Sequence, residues 1–129
     1  MPTIAQRQRR QLGVVHADIT TARTGAYYAA AGAQRIAADV VTGPIAATKK
    51  VTVQLLQATD GAGAGAKPLG APVEKVAPAG GGALLVTAEA KTEQLDDGYS
   101  YVAVQISSDN AGAVIGTAVL LFGDNRYNP

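Results

Sequence analysis

A chain of 129 residues and 13.0 kDa accommodates one domain that buries roughly two-thirds of its unfolded surface, and not two. Its formal net charge of +1 provides no overall field for nucleic acid or an acidic membrane, and the absence of Cys excludes disulfides, thiol catalysis and Cys-ligated metal centres. Hydrophobic residues make up 47% but aromatic residues only 5%, so each position of an alanine-rich core buries little area and self-association is expected to supplement it.

Residues 1–12 (MPTIAQRQRRQL) are polar and basic, without a sustained period, and read as an N-terminal arm that carries Arg7, Arg9 and Arg10. No apolar run approaches the ~20 residues of a membrane span, and the arm lacks a continuous apolar signal-peptide core, so neither membrane insertion nor secretion is expected. From Gly13 the pattern changes. In GVVHADIT, Val15, Ala17 and Ile19 alternate with His16, Asp18 and Thr20, which predicts a strand with the first set inward. The alanine-rich segment 26–41 is interrupted by Gly32 and then alternates at Ile36, Ala38 and Val40; it is read as two short strands rather than a helix.

KVTVQLLQA (50–58) predicts a strand with Val51, Val53 and Leu55 on one side. The Gly, Ala and Pro of TDGAGAGAKPLGAP (59–72) read as a flexible surface loop. After a second turn at PAGGG (78–82), ALLVTAEAK places Leu84, Val86, Ala88 and Ala90 opposite Leu85, Thr87, Glu89 and Lys91. The Asp97-Gly98 turn precedes alternating Val102, Val104 and Ile106, and a Leu ahead of a Tyr that opens a core strand loosely resembles the tyrosine corner of immunoglobulin-like sandwiches. SDNAG (108–112) turns the chain once more before VIGTAVLLFG (114–123). Seven or eight strands separated by Gly, Asp or Pro turns predict an all-β fold, a single-domain β-sandwich or jelly roll over residues 13–129 behind the arm.

The chemistry for catalysis is sparse. His16 is the single histidine and falls on the polar side of a strand pattern, so a nucleophile–His–acid site has one exposed candidate, and no enzymatic role is expected. GAGAGA lacks the Lys-Ser/Thr and the strand-to-helix frame of a phosphate loop, and no cofactor is expected. Asp60, Asp96, Asp97, Asp109 and Asp124 all lie beside turn residues; they read as turn-closing groups, with Ca²⁺ at one rim of the sandwich as the sharper alternative. No metal site is assigned. The arginines of the arm suit carboxylates on a protein surface better than a nucleic-acid track, since no aromatic residues interleave with them.

The segments KVTVQLLQATD, ALLVTAEAKTEQLDDGYSYVAVQIS and AVLLFGDNRYNP resemble small structural proteins encoded among the head genes of tailed bacteriophages. The similarity covers roughly residues 36–129, and its most distinctive piece is the ending Gly123-Asp124-Asn125-Arg126-Tyr127-Asn128-Pro129. The resemblance implies a capsid decoration, or cement, protein made in the host bacterial cytoplasm. Such a protein binds the outside of the shell as a homo-oligomer, here with a trimer favoured, and stabilises contacts between major capsid proteins. Arg7, Arg9, Arg10, Arg126 and Tyr127 are then the candidate contacts to the capsid or to other subunits, because Arg and Tyr anchor interfaces. The rival readings are a receptor- or carbohydrate-binding module of a phage fibre, and a head–tail connector or tail subunit.

Overall fold

The segments with the strictest alternation become the long strands on which two antiparallel sheets are built. The computed structural model describes residues 9–30 and 33–123. In chain order the strands are β1 (Arg9–Leu12), β2 (Ala17–Asp18), β3 (Arg23–Thr24), β4 (Tyr28–Ala29), β5 (Arg35–Thr42) and β6 (Lys50–Ala58). They continue with β7 (Lys67–Pro68), β8 (Val73–Val76), β9 (Leu85–Lys91), β10 (Tyr101–Ser108) and β11 (Ile115–Gly123), with a 3-10 turn at Thr92–Gln94.

The first sheet has the order β1-β11-β5-β9, with β2 also on β11; the second has the order β3-β10-β6-β7, with β4 on β10 and β8 on β6. Alternation fixes which residues lie between them. Ile36, Ala38 and Val40 of β5, Val86, Ala88 and Ala90 of β9, and Ala118, Leu120 and Phe122 of β11 face Val51, Val53 and Leu55 of β6 and Val102, Val104 and Ile106 of β10. The all-β sandwich expected from the sequence is therefore the fold, with Phe122 as the one fully buried aromatic ring among the described residues.

Three local expectations need correction. Val15 is 55% exposed whereas Val14 is 6% exposed, because His16 adopts a left-handed turn (φ 45°) that breaks the period expected through residues 13–20. Within the segment read as an arm, Arg9–Leu12 is an edge strand: Arg9 pairs with Phe122 and Leu12 with Val119. The 59–72 segment is not a free loop. It contributes β7, buries Leu69, and folds its tip on Asp60, whose carboxylate accepts the Ala62 and Ala64 N–H groups at 2.9 and 3.1 Å.

A tyrosine hydroxyl is tied back to the backbone, but it belongs to Tyr28 of β4, which donates to the Leu12 carbonyl at 2.6 Å. That bond closes the sandwich edge between β1 and the second sheet.

Candidate interaction surface

Of the turn acids, Asp60 and Asp109 accept backbone N–H groups, Asp96 forms an ion pair, and Asp124 lies outside the described residues. Asp109 accepts the Lys50 N–H at 2.8 Å, Asn110 accepts that of Ala46 at 3.0 Å, and Asp96 pairs with Lys67, whose ammonium also lies 4.4 Å from the Tyr99 ring centroid. Among the described residues no group of three or more His, Cys, Asp or Glu side chains is placed to hold a metal ion. His16 is exposed, and its N–H donates to the Thr117 hydroxyl at 3.2 Å. A depression of about 550 Å³ lies beside Leu95, Asp97 and Tyr99.

The outward face of the first sheet is different in kind. Registered neighbours place Arg10, Leu121, Ala37 and Glu89 in one row across β1, β11, β5 and β9, and Leu12, Val119, Asp39 and Thr87 in the next. Thr117, Val41 and Leu85 form a third row, with Ile115 beyond them. Leu12 and Leu85 are each 60% exposed and Val41 56%, and these residues join Val119 and Leu121 in an apolar strip that runs obliquely over the face. Four strands about 4.8 Å apart and up to nine residues long make a face of roughly 19 by 30 Å. Apolar side chains that adjoin one another across several strands of such a face mark an interaction site more often than scattered surface leucines do. Arg10, Arg35 and Lys91 lie at one end of the strip, and Asp39 at its centre bonds the Thr87 hydroxyl at 2.8 Å.

Of the residues proposed from the sequence, Arg10 is exposed on this face and the backbone of Arg9 pairs in β1. Arg7, Arg126 and Tyr127 lie outside the described residues. The topology brings the two groups' points of attachment together. Arg9 pairs with Phe122 and Gly123 ends β11, so the chain enters and leaves the described fold at adjacent positions on one corner of the first sheet. The apolar strip itself was missed. Its signal was the run VIGTAVLLFG, in which Val119 and Leu121 are apolar on the side opposite Ala118, Leu120 and Phe122: a strand apolar on both faces needs two apolar neighbours.

No protein-family model matches the chain, and no curated protein does. Solved structures do. The PBSX exported protein XepA superposes with a TM-score of 0.63 at 11% identity, over 99% of this chain and 41% of that one. A chain of infectious bursal disease virus, Gx strain, gives 0.50 at 12% identity over 95% of this chain and 34% of its own. The C-terminal family 22 carbohydrate-binding module of Clostridium thermocellum Xyn10B gives 0.50 at 10% identity, over 98% of this chain and 91% of the module. The chain thus spans less than half the length of the first two. At these identities the likeness establishes the sandwich fold, one found in an exported PBSX protein, in a virus particle and in a sugar-binding module alike.

Proposed function

We propose that the chain is a non-enzymatic structural subunit of a phage particle that binds the outside of the capsid as a homo-oligomer and stabilises contacts between major capsid proteins. The observation that carries this reading is the exposed apolar strip of Leu12, Val119, Val41 and Leu85, with Arg10, Arg35 and Lys91 at one end. Such a face suits an apolar protein surface bordered by carboxylates. The sequence resemblance to phage head proteins and the viral and PBSX fold neighbours support the same assignment. Weak contacts repeated over a symmetric shell add up without any single tight site, and oligomer interfaces supplement a core poor in aromatic residues.

Co-sedimentation with empty, DNA-free phage heads tests the reading. Val41→Asp and Leu85→Asp, both on the strip, are expected to lower occupancy at least tenfold, whereas Gln54→Ala on the outer face of the second sheet leaves it unchanged. Removal of residues 1–8 is expected to weaken binding through loss of Arg7. Undiminished occupancy by both Asp variants would overturn the assignment, and glycan binding that depends on Gln54 and Gln105 in place of head binding would favour a carbohydrate-binding module.

A further inference from the structure

The edge strands of a sheet invite another chain to pair with them, and the first sheet ends on β1 and β9. Their outward backbone groups follow from the register. The Thr42 N–H donates to Leu84 at 2.9 Å and the Thr92 N–H to Gln34 at 3.0 Å, so Val86, Ala88 and Ala90 bond to β5 while the backbone groups of Leu85, Thr87, Glu89 and Lys91 point outward. On the other edge the Gly13 N–H donates to Ala118 at 2.9 Å, so Arg9 and Gln11 bond to β11 while the backbone groups of Arg10 and Leu12 point outward. Side chains from elsewhere in the chain meet these groups. Lys75 Nζ donates to the Leu85 carbonyl at 3.1 Å, Gln94 Oε1 accepts the Lys91 N–H at 2.7 Å, and the Tyr28 hydroxyl donates to the Leu12 carbonyl at 2.6 Å.

We infer that Tyr28, Lys75 and Gln94 close the edges of the first sheet against strand addition, so that this sheet meets other molecules through its outer face and does not grow sideways. The reason is geometric. An added strand lies about 4.8 Å from the edge and places its own N–H and C=O groups about 2.9 Å from the outward groups with which it pairs. The Lys75 ammonium already stands at that distance from the Leu85 carbonyl, the Gln94 amide oxygen from the Lys91 N–H, and the Tyr28 hydroxyl from the Leu12 carbonyl. Between the two caps of β9 lie Thr87 and Glu89, and the exposed Glu89 puts a carboxylate there. Among the described residues of β1, Arg10 is what remains of the outward row, because beyond Leu12 the Gly25 backbone packs on Gly13.

Two of the caps come from the second sheet, Tyr28 from β4 and Lys75 from β8. Each edge of the first sheet is thus held by a side chain that reaches across from the opposite layer of the sandwich, and Tyr28 is itself packed against the core. The inference goes beyond the proposed function, since edge closure holds whatever the outer face binds.

Sedimentation velocity and amide hydrogen exchange on the full chain test it, with circular dichroism to confirm folding of each variant. The uncapped variant, which combines Tyr28→Phe, Lys75→Ala and Gln94→Ala, is expected to associate at concentrations about tenfold lower than the wild type, since each freed backbone group offers a hydrogen bond to a neighbour. Exchange at the outward amides, Arg10 and Leu12 on β1 or Thr87 and Glu89 on β9, should slow as its concentration rises. Lys75→Arg combined with Gln94→Glu keeps a donor and an acceptor in place and is expected to match the wild type. Gln57→Leu, which weakens the fold away from both edges, separates edge pairing from aggregation of unfolded chain and should leave association unchanged. An uncapped variant that sediments like the wild type, association without slower exchange at those amides, or equal association by Gln57→Leu or by the Arg and Glu exchange would each overturn the inference. Head occupancy by Val41→Asp and Leu85→Asp is measured separately, so either proposal can fail alone.

Discussion

Gly25 rests on the backbone of Gly13: a Cβ built on Gly25 would lie 2.7 Å from the Gly13 carbonyl carbon. This contact is where the chain leaving β1 meets the chain leaving β3, and it lets the edges of the two sheets approach. Gly25→Ala is expected to destabilise the fold by about 2 kcal/mol, because backbone must move to admit the methyl group. Gly43→Ala, where the nearest atom is 3.7 Å away, serves as the control and should cost much less. Urea unfolding that ranks the two variants equally would contradict the contact.

Gln57 is buried at the end of β6 and uses both ends of its amide: Nε2 donates to the Pro68 carbonyl at 3.0 Å, and Oε1 accepts the Asp96 N–H at 2.9 Å. It thereby ties β7 and the turn before β10 to the core. Gln57→Leu keeps the volume but orphans both backbone groups, with an expected loss of about 2 kcal/mol in chemical denaturation. An unchanged midpoint would show that water replaces those bonds without cost.

The 59–72 segment contains two sites of different tolerance. Between Gly63 and Ala64 an inserted peptide would break the Ala64 carbonyl's bond to the Thr59 N–H at 3.0 Å and displace a turn held by Asp60. Between Ala71 and Pro72, both exposed, it lengthens a surface connection, which costs well under 1 kcal/mol. Thermal melts of the two insertions should show a clear loss for the first and little for the second.

Asp18 holds its neighbourhood through its charge. The Thr20 N–H, first in strength, then the Thr20 hydroxyl and the Val114 N–H donate to Oδ1, and these bonds lower its pKa from 3.8. A carboxyl whose folded pKa is depressed contributes stability above the unfolded value and loses it as the pH falls through the folded one. Melting temperature should therefore drop more steeply below pH 3.8 in the wild type than in Asp18→Asn. Parallel acid limbs would contradict this role.

The core was legible because Val51, Val53 and Leu55, the Leu84–Ala90 series and Val102, Val104 and Ile106 alternate without interruption. Val15 was misread because one left-handed residue, His16, resets the phase, and composition does not announce it. β1 was hidden by its content: two arginines and a glutamine form a strand here because β11 offers an open edge, a tertiary cause. The candidate surface was legible only in part. Arg10 stood out by charge, whereas Leu12, Val41 and Leu85 lie in three separate stretches of sequence, and only the sheet order places them on one face, exposed among the described residues.

The central claim is that the outer face of the first sheet meets the shell. An electron-microscopy map of phage heads saturated with the protein tests it most directly. The account predicts density in which Val41, Leu85 and Val119 are buried against the capsid while Gln54 and Gln105 of the second sheet face solvent. A map with the second sheet on the capsid and the strip open to solvent would contradict it.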